Sequence, residues 1–139
     1  MAKKLKAACP KGIDVYFENV SGSVWDAVFP LLNTFAHIPV CGLIAQYSAT
    51  EAPDMKYKTS QIFRAVLSKR LTIRGFIVTD FAAKFPEFIR DMPQWIKEGH
   101  IRYREDVVEG LEQAPRALIG LLRGENFGKL LVKLGPEPK

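Results

Sequence analysis

The sequence predicts an α/β protein with a parallel sheet and flanking helices, and two observations support this prediction. Apolar, β-branched runs alternate with segments of helical period, in the order helix, strand, helix, strand, helix, strand up to about residue 81. The second apolar run, residues 36–44, is almost continuous, which is typical of parallel strands buried on both faces. The strand over residues 13–17, the helix that follows it and the strand over residues 36–44 together form a βαβ unit.

The first elements follow from local signals in the chain. Residues 2–9 are expected to form a helix that ends at the turn 10–12, and residues 13–17 form a strand rich in β-branched and aromatic side chains. Ser23 can cap the next helix, whose apolar residues recur at i, i+3 and i+4 and which ends at Asn33.

A polar loop over residues 46–59 follows the second strand. It leads into an amphipathic helix carrying Ile62, Phe63, Val66 and Leu67, and then into a third strand over residues 71–78. After residue 80 the pattern changes. We expect a long helix over 80–99 that Pro86 and Pro93 kink or interrupt, extended chain over 101–108, a helix over 109–123 and a terminal strand over 129–134.

Composition excludes several classes of protein. Hydrophobic residues make up 47% of the 139 positions and charged residues 25%, which argues against disorder. The net charge is +5, but four lysines lie in the first twelve residues, so no nucleic-acid-binding face is expected. Cys9 and Cys41 form no Cys-x-x-Cys pair and stand at no metal-ligand spacing from a histidine, so we expect no metal site.

The sequence also gives an expectation of cellular location. No segment approaches the roughly 18 consecutive apolar residues of a membrane span, and the first residues lack the apolar stretch of a secretory signal. We therefore expect a cytoplasmic protein without a membrane contact.

One expected element of a nucleotide-binding sheet is missing. Such a sheet normally opens with a strand, a Gly-x-Gly-x-x-Gly turn and a helix that holds a pyrophosphate, and this sequence contains no such motif. The pattern therefore resembles the second half of a Rossmann-type sheet without its first βαβ unit. Its inner strand is expected to have an open edge with unpaired backbone groups.

Several residues fall where open α/β sheets bind ligands, beyond the carboxyl ends of the strands. Tyr47 follows the second strand, and a phenol there can either pack or donate a proton to a developing oxyanion. Asn19 and Gly22 follow the first strand. Residues 76–78 end the third strand, where they can wall an apolar nicotinamide pocket or simply pack in the core.

The segment Gly124-Glu-Asn-Phe-Gly128-Lys129 invites comparison with a phosphate-binding P-loop. It fails the comparison, because the spacing is one residue short, no Ser or Thr follows the lysine, and a strand comes next. The simpler interpretation is a helix C-cap followed by a tight turn. Within that turn, the Asn126 amide can offer a donor and an acceptor to a ligand.

Several sequence blocks in register resemble a known family. They begin at Ile13 (Ile-Asp-Val-Tyr-Phe-Glu-Asn-Val), Ile38 (Ile-Pro-Val-Cys-Gly-Leu-Ile-Ala-Gln-Tyr), Ile73 (Ile-Arg-Gly-Phe-Ile-Val-Thr-Asp-Phe), Tyr103 (Tyr-Arg-Glu-Asp-Val-Val-Glu-Gly-Leu) and Gly124. The chain is similar to the zinc-independent medium-chain dehydrogenase/reductases, in the branch of NADPH-dependent alkenal, curcumin, plant double-bond and prostaglandin reductases. The similarity extends from the first helix to the last strand.

The resemblance implies a division of the chain and a reaction. Residues 1–81 would be part of a Rossmann domain without its first βαβ unit, and residues 82–139 the carboxy-terminal part of a GroES-like catalytic domain. Members of the family pass a hydride from NADPH to the β-carbon of an enone or enal, after which the enolate is protonated. A homo-oligomer acting on a small molecule is implied.

The resemblance also implies roles for individual residues. Tyr47 would lie near the substrate carbonyl, as a donor or as a group that stabilises the enolate. The cofactor contacts would be Asn19, Cys41, Gly42 and Ile44 at the strand ends, Phe76, Ile77 and Val78 along the nicotinamide, and Asn126. One position departs from the family pattern, since Ser21 stands where a glycine is usual, and its side chain could crowd a close backbone approach.

Two functions remain open from the sequence. The chain could be a piece of an NADP-dependent oxidoreductase, with little activity by itself because the phosphate-binding loop is absent. Alternatively, it could be a non-catalytic remnant or interaction subunit that pairs its open sheet edge with another chain.

Overall fold

The computed structural model of the chain describes residues 1–47 and 56–136 and divides it into two compact units, Met1–Phe81 and Ala82–Lys139. Both units contain parallel strands joined through helices, which confirms the predicted α/β class. The assignment of the second unit to a catalytic domain stays a prediction. Within the described ranges, no helix has the length and apolar character needed to cross a membrane.

The first unit is a three-stranded parallel sheet in the order β1-β2-β3. Its elements are α1 (Ala2–Ala8), β1 (Ile13–Val15), α2 (Gly22–Val28), β2 (Leu32–Val40), α3 (Thr59–Lys69) and β3 (Thr72–Gly75), with 3₁₀ turns at Phe29–Leu31 and Ile44–Gln46.

The core of this unit lies against one face of the sheet. In β2, Ala36 and Ile38 are fully buried while His37 between them is exposed, and Val15, the partner of His37 in β1, is 66% exposed. The expectation that this strand is buried on both faces is therefore wrong within the unit. The buried apolar side chains described in this unit are Trp25, Ala27, Val28, Phe29, Leu32, Ala36, Ile38 and Leu71.

Several boundaries differ from the predicted ones for identifiable reasons. Helix α2 begins at Gly22 rather than after Ser23, and it gives way to a 3₁₀ turn at Phe29, next to Pro30. Strand β2 begins at Leu32, before the predicted start, because the β1–β2 pairing shifts register and Phe35 takes a left-handed φ of 64°. A backbone irregularity of this kind leaves no simple signal in the hydrophobic pattern.

Strands β2 and β3 are also shorter at their carboxyl ends than predicted. Strand β2 stops at Val40, so that Cys41 and Ile44 lie in the loop beyond it. Strand β3 stops at Gly75, so that residues 76–78 follow the strand rather than end it. Most of the predicted positions at the edge of the sheet therefore lie in loops beyond the strands, whereas Ile44 and Val78 lie in 3₁₀ segments and Gly22 begins α2.

The second unit contains a βαβ arrangement with a helix before it. Its elements are α4 (Phe85–Lys97), β4 (Glu105–Glu109), α5 (Ala114–Leu122) and β5 (Lys129–Lys133), with β4 and β5 paired in parallel. The predicted helix over 80–99 is shorter, because a kinked 3₁₀ segment, Val78–Lys84, precedes it. Pro86 lies in the first turn of α4, where its missing N–H costs nothing, whereas Pro93 is tolerated inside the helix.

Candidate functional site

The loops that follow β1 and β2 run side by side and are joined through their backbones. The Glu18 N–H donates to the Pro39 carbonyl at 2.8 Å, and the Glu18 carbonyl accepts from the N–H groups of Cys41 and Gly42 at 2.9 and 3.1 Å. Two further bonds continue this pairing, from Ile44 N–H to the Asn19 carbonyl at 3.1 Å and from Ala45 N–H to the Val20 carbonyl at 3.0 Å. The two loops therefore form one backbone platform at the carboxyl edge of the sheet.

A buried carboxylate organises this platform. Glu18 is 3% exposed, and its Oε1 accepts hydrogen bonds from Val20 N–H at 2.7 Å, Ser21 N–H at 2.8 Å and the Tyr16 hydroxyl at 2.9 Å. Burial raises the pKa of the Tyr16 phenol, and its hydrogen bond to Glu18 and the negative charge there raise it further. Tyr16 therefore stays protonated and acts as a permanent donor to the carboxylate.

Tyr47, Gly42 and Asn19 meet on the platform. Tyr47 follows the turn Ile44–Gln46, and its N–H donates to the Ile44 carbonyl at 3.2 Å. A Cβ built on Gly42 would lie 3.3 Å from the Tyr47 hydroxyl oxygen, 3.6 Å from the Asn19 carbonyl oxygen and 3.7 Å from Asn19 Oδ1. The phenol thus reaches over a residue that has no side chain, and the Asn19 amide lies near that same residue.

An open cleft of about 530 Å³ lies beside these residues. Five of the predicted site residues line it, namely Cys41, Gly42, Tyr47, Phe76 and Ile77. Asn19, Ile44 and Val78 are not among its lining residues, and Val78 is 74% exposed. The structure therefore brings most of the predicted residues of the first unit together.

The loop after β3 is fixed by a residue that the sequence reasoning missed. Asp80 lines the cleft, and its Oδ2 accepts a hydrogen bond from Ile77 N–H at 3.0 Å, while its own N–H donates to the Ile77 carbonyl at 2.9 Å. Phe76 packs edge-on against Phe17 and Phe81. An aspartate five residues after the end of β3 and three after Ile77 is a turn signal that could have identified this closure.

Asn126 belongs to the second unit, in the turn between α5 and β5. One of its amide hydrogens is donated to the Gly128 carbonyl at 2.7 Å, which leaves Oδ1 and a second hydrogen for other partners. Asn126 is half-buried. It lines a cavity of about 360 Å³ within this unit.

The turn that carries Asn126 is held by Asp106. The Asp106 carboxylate accepts from Phe127 N–H at 2.6 Å and from Gly128 N–H at 3.0 Å. These two bonds, that of Gly128 first, together with the nearby Arg104 guanidinium, hold the pKa of Asp106 below its usual range.

Comparison with known proteins gives a consistent result. A family model described as zinc-binding dehydrogenase matches residues 1–132. The NADPH-dependent curcumin reductase of Escherichia coli (strain K12) is 52% identical over 134 residues, which cover 96% of this chain and 39% of that protein. The 2-alkenal reductase (NADP(+)-dependent) of Nicotiana tabacum is 38% identical over 137 residues, covering 99% of this chain and 38% of that protein.

A solved structure agrees with these relatives. The crystal structure of CurA from Vibrio vulnificus in complex with NADPH matches with a TM-score of 0.88 at 50% identity, covering 98% of this chain and 41% of that one. The chain therefore spans about two fifths of the length of the proteins that it matches.

Because the matched family is described as zinc-binding, the question arises whether side chains of this chain could bind a zinc ion. Within residues 1–47 and 56–136, no group of three or more His, Cys, Asp or Glu side chains could hold a metal ion. Structural zinc sites use four such ligands and catalytic ones use three. The donor set described here does not fit zinc, and we derive no step through it.

Proposed function

Because this chain belongs to the zinc-binding dehydrogenase family, we propose that it forms the nicotinamide side of an NADPH-dependent reductase. The reaction would be reduction of the C=C bond of α,β-unsaturated ketones and aldehydes. The observation that carries the proposal is the convergence of the Tyr47 hydroxyl, Asn19 and Gly42 beside a cleft at the carboxyl edge of a parallel sheet.

The residues present fit the nicotinamide half of such a cofactor. Gly42 has no side chain to block a close approach to the backbone, and the atom nearest to its missing Cβ is the hydroxyl oxygen at the flexible end of Tyr47. Bound NADPH would supply a hydride to the substrate. We assign the contacts around it to Asn19, Cys41, Gly42, Ile44, Phe76, Ile77, Val78 and Asn126.

Tyr47 is the proposed acid of the reaction. Its side chain is 69% exposed, and within the described residues its hydroxyl makes no hydrogen bond to the protein. A phenol in this state can donate a hydrogen bond to the carbonyl oxygen of the substrate and stabilise the negative charge that develops there. Because this donor polarises the carbonyl, the proposed reaction needs no zinc.

The proposed reaction can be tested in a chimera that carries this chain in place of the matching segment of the Escherichia coli curcumin reductase. We expect NADPH oxidation that depends on an added enone or enal such as trans-2-hexenal. In that chimera, Tyr47→Phe should lower kcat by about 10²-fold or more, the contribution of a positioned acid, with the Kd for NADPH unchanged.

Tyr103→Phe is the matched control, since Tyr103 is 66% exposed and lies in the other unit. A folded chimera without enone-dependent oxidation would overturn the proposal, and full activity in Tyr47→Phe would overturn the role of Tyr47. The chain by itself is expected to turn over little, since its sequence offers no Gly-x-Gly-x-x-Gly turn for a pyrophosphate.

A second candidate is an interaction subunit that pairs its sheet edge with another chain. Strand β1 is an edge strand of the sheet. Val15, its last residue, is 66% exposed, and Phe17, two residues further on, is 52% exposed. Edge strands with apolar side chains favour pairing. Sedimentation of the chain as a monomer at high concentration would contradict this candidate, and it would also contradict the homo-oligomeric state expected from the sequence.

The cytoplasmic location remains a proposal for cell fractionation to test.

A further inference from the structure

Ser21 has a backbone conformation that belongs to glycine. It is 4% exposed, with φ of 70° and ψ of −163°. This region of conformational space is almost exclusively occupied by glycine, because a Cβ there meets the backbone. A serine in this position is under strain, and the surrounding contacts must hold it there.

Two hydrogen bonds hold Ser21, one on each side. Its N–H donates to the Glu18 carboxylate at 2.8 Å, a bond that a glycine would also make. Its hydroxyl oxygen accepts from Gln46 Nε2 at 2.9 Å, a bond that a glycine cannot make. The side chain that causes the strain therefore also joins the first loop of the platform to the second.

This second bond joins the end of the second loop to the first, where the backbone N–H groups of Gln46 and Tyr47 bond only within their own loop, to the Leu43 and Ile44 carbonyls at 2.9 and 3.2 Å. The backbone bonds of Ile44 and Ala45 anchor the start of the turn Ile44–Gln46. Gln46 is its last residue, and Tyr47 follows directly. The Tyr47 hydroxyl makes no hydrogen bond within the described residues, so its position over Gly42 depends on the backbone that carries it.

We infer that Ser21 is a positioning residue for Tyr47: its hydroxyl holds Gln46, and Gln46 fixes the turn that places the phenol over Gly42. The chemical use of that phenol rests on the proposed function. The positioning itself concerns only this chain and can be measured without a cofactor or a substrate.

Three substitutions separate the strain from the hydrogen bond. Ser21→Ala removes the bond and keeps the strain, Ser21→Gly removes both, and Gln46→Met removes the bond and leaves Ser21 intact. Ser23→Ala is the matched control, because Ser23 is an exposed serine two residues away in α2. Tyr47→Phe identifies the Tyr47 ring signals in an NMR spectrum of ¹³C-tyrosine-labelled chain.

The measurements are the Tyr47 ring shifts, the exchange rate of the Tyr47 amide and the melting temperature. We expect Ser21→Ala, Ser21→Gly and Gln46→Met to shift the ring signals alike and to speed amide exchange at least fivefold. Ser21→Gly should melt at a higher temperature than Ser21→Ala, because the strain is gone, and yet leave Tyr47 equally displaced. If Ser21 only stabilised the fold, the size of the change in the Tyr47 signals would instead track the loss of melting temperature from one variant to the next.

Unchanged Tyr47 signals in both Ser21→Ala and Gln46→Met would overturn the inference. The inference would also fail if the Tyr47 signals shifted in Ser21→Ala but kept their original positions in Ser21→Gly. None of the three measurements, the Tyr47 ring shifts, the amide exchange rate and the melting temperature, involves NADPH or an enone. A failure of the reductase proposal is therefore distinguishable from a failure of this one.

Discussion

The replacement Glu18→Gln isolates the charge that organises the platform. Glutamine keeps the shape of the side chain and an acceptor oxygen, but it removes the negative charge. The group is 3% exposed and accepts three hydrogen bonds on one oxygen, from Val20, Ser21 and Tyr16. We expect a marked loss of stability in the first unit, with little change elsewhere.

The magnitude follows from those three bonds. A hydrogen bond to a charged group contributes about 1.5–3 kcal/mol and a neutral one about 0.5–1.5 kcal/mol. Neutralising the acceptor therefore weakens three bonds by about 1 kcal/mol each. Relief of the buried charge offsets part of the loss. A net loss of about 2 kcal/mol in the free energy of unfolding is expected, or roughly 8–16 °C in melting temperature for a unit of this size.

Thermal unfolding at neutral pH, followed by circular dichroism, measures the effect, and amide exchange at Val20 and Ser21 localises it. Glu105→Gln is the control, since Glu105 is exposed and a surface change of this kind alters stability by about 0.5 kcal/mol at most. If the free energy of unfolding of Glu18→Gln lies within about 0.5 kcal/mol of that of the unaltered chain, the carboxylate does not organise the loops.

Two further predictions concern the site residues. Gly42→Ala places a methyl group 3.3 Å from the Tyr47 hydroxyl, so it should displace the phenol and lower turnover of the chimera at least tenfold without changing the melting temperature, whereas Gly135→Ala, which enters open space, should change neither. The pKa of Asp106 is lowered in the folded chain, so its contribution to stability is complete above the unfolded pKa of about 3.9 and is lost as the pH falls through the folded value. Asp106→Asn should therefore melt below the unaltered chain at pH 6, with a difference that narrows as the pH falls below the unfolded pKa of about 3.9; a difference that does not change with pH would contradict the assignment.

The order of elements was predictable because it depends on local patterns. Apolar runs and turn residues located each α-helix and strand of the described residues but none of the 3₁₀ segments, and the change of character near residue 80 coincides with the division into two units after Phe81. Precise ends were not predictable. The early start of β2 depends on a register shift against β1, and that is a property of two strands rather than of one.

The candidate site was predictable in outline for a different reason. Carboxyl ends of parallel strands meet at one edge of a sheet, so Tyr47 and Gly42 could be expected near each other once the strands were recognised. Nothing in the sequence reveals that Glu18, in what reads as a turn, buries its carboxylate under that edge. Two of its three partners are backbone N–H groups of its own loop, which almost any sequence would offer, and the third is the Tyr16 hydroxyl.

The same reasoning explains why the glycine-to-serine departure at Ser21 could be noticed but not interpreted from the sequence. A side chain there was expected to crowd the backbone, and the left-handed φ of 70° shows a real conformational penalty. Its compensation comes from Gln46, which is distant along the chain and reaches Ser21 only because the two loops are paired through Asn19 and Val20. A residue that costs stability locally while tying Gln46, the neighbour of the proposed acid, is better explained by the position of Tyr47 than by the stability of the fold.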